Sequence, residues 1–544
     1  MKRILLLLIA AAFVFPFGLS AGHTRAAPAT NADTIIIGYT DSTDDLDNAD
    51  VYDDHGWEIL QNTGEGLLKL KVASTDVEPG LAVAMPTIST DGLTYTFTLR
   101  DNLQFADGTP LTAQTVVDSI ARVQKLNGQV AGLVTGYINS VTAPDAKTVV
   151  FKLQRPIGFF NALVATPPYY PVNPKIYTAD ALNKFPATLD GVGPYRLTSY
   201  KPKEQGVLEA NPKYYGAQPL TKTIILRYFA DQAQLSAAVE KGDIDVAWRA
   251  LGAADIVRLK KTAGINVYTV PNGRTLYLNF NHLTKPFDDV RVRQAVAYLT
   301  DRDEIIDRAY QGQVKALYSM IPPGFSYVTD AFKKQYNAPQ VDKAVALLKA
   351  AGYTADKPLT VDFWWPLKHY GQEAQDIATV LKAQLEKSGL IKINLQSAEW
   401  STYIAAVGKG GYGFFLLGWF ADYPDTDDYI APWADSSLNA NEGTNYKNPK
   451  MDDLVRRAGS SADPKVRTDL YAQAQDLYAQ DVVTVPLLLV GEYTVYKDGV
   501  VGADKVGATV IMKYSLLGKS STGASSAATM SATMNATMAA TASK

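Results

Sequence analysis

The sequence predicts an α/β protein of two or three compact units, and three observations support this interpretation. Strands and helices alternate in residues 359–428 in the order strand, helix, strand, helix, strand, which is typical of neighbouring parallel strands. Residues before about Gly273 instead predict short alternating strands with few helices, a mixed α+β arrangement. The chain has 544 residues, more than one hydrophobic core usually organises. We therefore predict a boundary between the lobes near Gly273.

The segment 411–428 contains the first candidate site. Residues 414–417 are a short apolar run between glycines, which predicts a strand buried on both faces. Trp419 and Asp422 follow directly after this strand. Ligands of open α/β sheets bind beyond the carboxyl ends of the strands. The sequence therefore predicts that these two side chains face a ligand.

Two further predicted strands lead to the same edge of the sheet. Residues 359–365 end shortly before Lys368, and residues 391–395 end shortly before Trp400. Because the carboxyl ends of neighbouring parallel strands meet in one crevice, we expect both residues to share the site with Asp422. Five of the chain's seven tryptophans lie in this part. A structural explanation stays open, in which the tryptophans belong to the core and Asp422 caps a turn.

Local signals in the first half of the chain predict individual elements. Thr112 is a suitable N-cap for a helix, Asp231 is a second N-cap, and Gly242 would end the helix after Asp231. Residues 41–50 form an acidic loop. That loop lacks the central glycine and closing glutamate of an EF-hand, so we predict a solvated loop rather than a calcium site.

The first 29 residues predict a secretory signal peptide. Lys2 and Arg3 precede an apolar run at 4–15, and small residues follow at 20–29, the usual order of such a signal. An uncleaved N-terminal anchor is the alternative. The chain contains no cysteine, so it has no disulfide and no cysteine that could be lipidated after the signal. We expect an exported protein, either periplasmic or associated with the cell surface.

The last 26 residues, 519–544, are rich in serine, threonine, alanine and methionine, and the triplet ATM recurs in them. Such a segment cannot bury a core, so we predict that it is disordered. Its methionines could bind copper(I), but a spacer is the simpler interpretation.

Composition and motif spacing exclude several functions. The formal net charge is -3 and long basic runs are missing, which argues against a nucleic-acid partner. The four histidines are not paired at metal-ligand or triad spacing, so we expect no metal and no cofactor. One enzymatic alternative stays open. A glycoside hydrolase needs only two carboxylates, and four aspartates are candidates: Asp422, Asp425, Asp427 and Asp428.

Several segments are similar to one known family, the extracellular solute-binding proteins of peptide/nickel-type ABC importers, or family 5. The matching stretches are GEGLL (64–68), DGLTYTFTLRDNLQFADGTPLTAQTVVDSI (91–120), GVGPYRLTSY (191–200), NPKYYG (211–216), FDDVRVRQAVAYLTDRDEII (287–306), LLGWFADYPD (416–425) and NYKNPKMDDLV (445–455). They follow the family's order from about residue 34 to 515.

The resemblance implies a two-lobed periplasmic-binding-protein clamp of class II, similar to cluster C. Lobe I would comprise residues 30–275, with an extra α+β subdomain at 62–184, and the chain would return to it at 485–515. Lobe II would comprise residues 276–484. The chain would cross between the lobes near Thr275 and Pro486.

The resemblance also implies a function and a set of ligand contacts. In the family's peptide binders, the aspartate at the position of Asp422 holds the ligand's α-amino group. Lys368 is the nearest counterpart of the arginine that binds the carboxylate in dipeptide binders. We expect a monomeric binding protein that delivers a peptide to the membrane subunits of an ABC importer and has no catalytic residue. An oligosaccharide or a metal chelate is the alternative ligand. The predicted ligand contacts are Asp422, Trp419, Trp400, Lys368 and Tyr277.

Overall fold

The computed structural model describes residues 33–249, 251–367, 369–506 and 511–520. The predicted signal peptide and Lys368 lie outside these residues, and so does the predicted tail from residue 521 onward.

The described residues form strands and helices of mixed arrangement. The strands are β1 (Thr34–Tyr39), β2 (Leu68–Leu70), β3 (Val77–Pro79), β4 (Thr87–Ile88), β5 (Thr94–Thr98), β6 (Ile138–Thr142), β7 (Thr148–Leu153), β8 (Tyr195–Lys201), β9 (Gln205–Ala210), β10 (Thr223–Tyr228), β11 (Val246–Trp248), β12 (Ile265–Phe280), β13 (Lys315–Ala316), β14 (Leu359–Leu367), β15 (Ile391–Glu399), β16 (Phe414–Trp419), β17 (Thr484–Lys497), β18 (Val500–Val501) and β19 (Gly518–Lys519). The helices are α1 (Asp54–Thr63), α2 (Ala113–Leu126), α3 (Gly132–Thr135), α4 (Phe160–Val164), α5 (Gln232–Lys241), α6 (Ala253–Leu259), α7 (Val290–Leu299), α8 (Arg302–Tyr310), α9 (Ala331–Tyr336), α10 (Val341–Ala350), α11 (Glu373–Glu386), α12 (Trp400–Val407), α13 (Asp427–Ala434), α14 (Pro449–Ser460) and α15 (Pro464–Asp481).

One mixed sheet extends through both halves of the described chain, in the order β15-β14-β16-β12-β17-β11-β1-β10-β9-β8. At the lobe II end, β14 pairs in parallel with β15 and β16. The predicted set of three neighbouring parallel strands is therefore confirmed. At the lobe I end, β1 is parallel to β10 and β11, whereas β9 is antiparallel to both of its neighbours, β8 and β10. This confirms the mixed arrangement predicted for the first half.

Strand β16 is buried on both faces, as predicted. Phe414 and Leu416 pack into one hydrophobic cluster with helices such as α7 and α11. Phe415 and Leu417 pack into a second cluster on the opposite face of the sheet. Because a strand alternates its side chains between the two faces, this run of apolar residues supplies both cores. The strand therefore holds the segment that follows it in a fixed position.

The two longest strands, β12 and β17, join the lobes as an antiparallel pair. Their register shifts between Thr269 and Gly273, and Gly273 lies opposite Gly491. A Cβ atom on Gly273 would lie 2.0 Å from the carbonyl oxygen of Val490, so this close approach requires glycine. We predicted that the chain crosses between the lobes near Thr275 and Pro486. Gly273 lies two residues before Thr275. Gly491 lies five residues after Pro486, so Pro486 is on the lobe II side of this close approach. The exact lobe limits stay a prediction.

A separate antiparallel sheet, β4-β5-β7-β6, lies within residues 62–184. Helix α2 packs on it, and Phe97, Val116 and Phe151 share one hydrophobic cluster. Thr112 directly precedes α2, as predicted. Asp231 caps α5 through the backbone N–H of Gln234, and α5 ends at Gly242, also as predicted. The assignment of 62–184 as a distinct subdomain stays a prediction.

The prediction for the acidic loop 41–50 is wrong. Asp47 is fully buried and accepts two hydrogen bonds from the guanidinium of Arg122, at 2.7 and 2.6 Å. Lys184 pairs with Asp45 at 3.0 Å and with Asp50 at 2.5 Å. Cations from distant segments therefore neutralise these carboxylates, and most of the loop packs inside the protein instead of facing solvent.

Within the described ranges, no helix combines the length and the apolar character that a membrane crossing requires.

Candidate functional site

A cavity of about 980 Å³ is lined by residues from both lobes. Lobe I contributes the loop after β1, the start of α1 and the residues after β11. Lobe II contributes the residues after β14 and β16 and the start of α12. The strand pair β12 and β17 adds Arg274 and Glu492. The carboxyl ends of the predicted parallel strands therefore meet at this cavity, as the sequence predicted.

Asp422 lines the cavity and contacts the opposite lobe. The hydroxyl group of Tyr52, which precedes α1, donates to the Asp422 carboxylate with both oxygens at 2.9 Å. Burial, together with a smaller effect of the charge of Asp54, raises the pKa of Asp422 to about 7, although the hydrogen bond from Tyr52 acts in the opposite direction. Burial disfavours the ionised form because a carboxylate loses its hydration. A ligand cation next to Asp422 would restore the favourable interaction that the carboxylate lacks.

Two more carboxyl groups surround Asp422. The Asp428 side chain accepts from the backbone N–H of Asp422 at 2.7 Å and from the Trp419 indole N–H at 3.2 Å. Burial and the nearby Asp422 raise the pKa of Asp428 well above its ordinary value. The same two causes raise the pKa of Glu442, which also lines the cavity, to about 8. Asp422 therefore has acidic neighbours on the same wall of the cavity.

Aromatic side chains form another part of the cavity wall. Trp400 and Trp419 both line the cavity, as predicted. The ring of His369 stacks on Trp400 with centroids 3.6 Å apart and planes 3° apart. Burial and the neighbouring Arg274 lower the pKa of His369 to about 3, so the imidazole is neutral at physiological pH. This surface suits the apolar part of a ligand.

Two of the predicted ligand contacts are not found among the residues that line the cavity, for different reasons. Lys368 lies outside the described residues. Tyr277 is fully buried in the core between Leu417 and Trp433, and its hydroxyl donates to the carbonyl of Met320 at 2.9 Å. The prediction for Tyr277 is corrected for a simple reason. Neighbouring strand residues face opposite sides, and its neighbour Leu276 is the one that lines the cavity.

Two arginines at the cavity were missed by the sequence analysis. Arg249 pairs with Asp54 at 3.5 Å and with Glu58 at 3.7 Å. Arg274 lies 3.8 Å from Glu492. Their segments carry no motif, so only the fold brings them to the site. Tyr52 and Glu442 were missed for the same reason.

The arrangement does not favour the glycoside hydrolase alternative. Of the four candidate aspartates, Asp422 is the one that lines the cavity. Asp425 pairs with Arg467, and Asp427 accepts from the hydroxyls of Tyr423 and Tyr471. These partners hold both carboxylates within the structure. Among the residues that the structure describes, no group of three or more His, Cys, Asp or Glu could hold a metal ion.

Comparison with known proteins identifies the family. The sequence model described as "Bacterial extracellular solute-binding proteins, family 5 Middle" matches residues 76–441. This match covers more than half of the chain, so the protein belongs to the bacterial extracellular solute-binding proteins of family 5. Members of this family are binding proteins rather than enzymes.

Individual relatives agree with this assignment over most of the chain. The "Probable D,D-dipeptide-binding periplasmic protein DdpA" of Escherichia coli K12 is 30% identical over 479 residues, 86% of this chain and 91% of that protein. The "Dipeptide-binding protein" of the same organism is 31% identical over 461 residues, 79% of this chain and 84% of that protein. The crystal structure of the substrate-binding protein CtaP from Listeria monocytogenes superposes with a TM-score of 0.78 at 25% identity, over 89% of this chain and 99% of that one. The predicted two-lobed fold is confirmed.

Proposed function

We propose that this protein captures a short peptide outside the cytoplasm and delivers it to the membrane subunits of an ABC importer. The observation that carries the proposal is the desolvated carboxylate of Asp422, which faces a cavity between two lobes and has acidic neighbours. A peptide ammonium matches this charge, and the aromatic walls suit peptide side chains. The names of the relatives, which describe dipeptide-binding proteins, agree with this choice.

The ligand class distinguishes the proposal from its alternatives. An uncharged oligosaccharide would use the rings of Trp400 and Trp419 but would leave the Asp422 carboxylate buried without a cation. A metal chelate would find no group of three or more His, Cys, Asp or Glu among the described residues that could hold its metal ion. A peptide is the ligand that uses both the charge and the aromatic surface. We propose a monomer that acts in the periplasm or at the cell surface, without catalysis and without a lipidated cysteine.

A thermal-shift screen with peptides, sugars and chelated metals tests the ligand class. A ligand that binds only the folded protein raises its apparent melting temperature by mass action. We expect peptides with a free amino terminus to give the largest shift and N-acetylated peptides to give little. A shift confined to sugars or chelates would contradict the proposal, and catalytic turnover of a glycoside would contradict a pure binding role.

Asp422→Asn tests the proposed ionic contact. Asn keeps one acceptor for the Tyr52 hydroxyl but removes the charge. A ligand ammonium would then be buried without its counter-charge, which costs on the order of 2 to 5 kcal/mol of affinity. We expect calorimetry to show this loss while the melting temperature without ligand stays near that of the wild type.

Asp330→Asn is the matched control, because it removes the same charge from an exposed carboxylate in lobe II that is paired with Lys334. We expect this control to bind like the wild type. Normal peptide binding by Asp422→Asn, or a large drop in its melting temperature, would make Asp422 a structural residue.

A further inference from the structure

Arg274 occupies an unusual position at the point where the lobes meet. It lies on β12, one residue after Gly273, and lines the cavity. Its guanidinium carbon lies 4.9 Å from the ring centroid of Tyr370 and 5.1 Å from that of Phe420. Contacts on two rings orient the planar guanidinium while leaving its N–H groups to other partners.

The positive charge of Arg274 has only one weak ionic partner among the described residues. The nearest carboxylate oxygen, on Glu492, is 3.8 Å away, beyond hydrogen-bond distance. Hydrogen bonds from the guanidinium to other described groups are not found, although arginine carries five N–H donors. Burial also raises the pKa of Glu492, which makes Glu492 a poorer counter-ion. The side chain is 24% exposed, so its donors can reach a ligand in the cavity.

The strand register places Arg274 beside the segment that contains Asp422. Thr275 pairs with Trp419, so Arg274 lies beside Phe420, two residues before Asp422. Arg274 and Asp422 both line the same cavity. A zwitterionic ligand in this cavity would therefore meet a cation as well as a carboxylate on the wall.

We propose that Arg274 is the subsite for a ligand carboxylate, and that in a short peptide it binds the C-terminal carboxylate. This inference rests on the proposed function, because it supplies the second charge contact of the same ligand. It differs from the expectation that Lys368 has this role. An arginine can donate two parallel hydrogen bonds to a carboxylate, which a lysine cannot do.

The test compares free and amidated peptides on the intact protein. The probes are Ala-Leu and Ala-Ala-Leu, each as the free acid and as the C-terminal amide, with affinities measured by calorimetry. We expect the wild type to favour the free acid of at least one pair by roughly 30-fold or more. We expect Arg274→Met to bind acid and amide about equally, with an amide affinity close to that of the wild type. Arg274→Lys should keep part of the preference, since it keeps the charge.

Arg227→Met is the control. The guanidinium carbon of Arg227 lies 5.7 Å from the ring centroid of Phe229, but Arg227 does not line the cavity, so this variant should keep the full preference for the free acid. Lys368→Met tests the competing assignment of the carboxylate contact to Lys368, and we expect the preference to persist in it. If Lys368→Met loses the preference and Arg274→Met does not, the inference is overturned.

The remaining outcomes separate the two proposals. If the wild type binds none of the four peptides, the proposed function is contradicted and this inference with it. Binding without any preference for the acid would overturn this inference alone. A preference for Ala-Glu-amide over Ala-Gln-amide that Arg274→Met removes would assign the subsite to a side-chain carboxylate instead of the terminal one. If Arg274→Met does not fold, the acid and amide affinities of the wild type and of Arg274→Lys still decide the question.

Discussion

The ionisation of Asp422 predicts how ligand affinity depends on pH. Its pKa is raised to about 7, so the carboxyl group is mostly protonated at pH 5.5 in the ligand-free protein. A peptide ammonium needs the ionised form, so affinity should rise by up to tenfold per pH unit below 7 and level off above it. Binding should also release protons at pH 6, which calorimetry in buffers of different ionisation enthalpy measures.

The stability of the ligand-free protein should fall as the pH rises, whereas ligand affinity should increase. A raised folded-state pKa means that the folded protein binds the Asp422 proton more tightly than the unfolded chain does. The stability that this group contributes is therefore complete below about pH 4 and is lost as the pH rises through about 7. Asp422→Asn should lack this component of the pH profile. Affinity that falls between pH 5.5 and 7 would contradict the assigned role of Asp422.

Residues of the site differ in how far the sequence could predict them. Trp419 and Asp422 directly follow an apolar strand, so one segment was enough to place both at the edge of the sheet. Tyr277 lies on a strand whose two faces look alike in sequence, and only the register shows that Leu276 faces the cavity. Tyr52 and Arg274 come from separate segments and have no local signal. Their place in the site follows from tertiary structure alone.

At the scale of elements, strands and helices with strong periodicity were predictable, whereas burial of the acidic loop was not. The sequence shows several carboxylates in residues 41–50, and solvation is the simplest interpretation. The neutralising Arg122 lies on α2, far along the chain. Local composition cannot identify a partner that the fold supplies. The loop precedes α1 and carries Tyr52 toward the site, so the buried pair of Asp47 and Arg122 helps to position the lobe I wall.

Arg122→Met tests the contribution of this buried pair to stability. The substitution leaves the Asp47 carboxylate buried without its cation, and breaking such a pair typically costs about 3 to 5 kcal/mol. We expect denaturant unfolding to show this loss in the ligand-free protein. The double variant Asp47→Asn with Arg122→Met should recover part of it, since the unpaired charge is removed.

An exposed ion pair provides the matched control for Arg122→Met. Lys147 pairs with Asp101 on the surface of the same sheet region, and exposed pairs are worth roughly 0 to 1 kcal/mol. Lys147→Met should therefore change stability little. Equal effects of the two substitutions would show that burial of the Asp47 pair is unimportant.

For the whole molecule, contacts between the lobes indicate a closed arrangement. The hydroxyl of Tyr52 in lobe I donates to Asp422 in lobe II. Outside the cavity, the rings of Phe159 and Tyr423 stack with centroids 4.8 Å apart. The Gly158 N–H also donates to the carbonyl of Gly459 at 2.8 Å. Because β12 and β17 connect the lobes, a change in their backbone near Gly273 could separate these contacts.

Ligand binding should therefore shift the protein toward this closed arrangement. A ligand that contacts Asp422 and Tyr52 together gains affinity only when the lobes are close, so it raises the population of the closed state.

The chain has no native cysteine, so two introduced cysteines can carry a donor and an acceptor dye. Leu220 in lobe I and Leu283 in lobe II are 64% and 66% exposed and are suitable positions. With Leu220→Cys and Leu283→Cys, we expect energy transfer to change on adding a saturating peptide, and the radius of gyration from small-angle scattering to decrease. A pair within lobe II, Leu283→Cys and Val328→Cys, should show constant transfer. Unchanged transfer and an unchanged radius at saturation would identify a rigid receptor whose lobes do not move on binding.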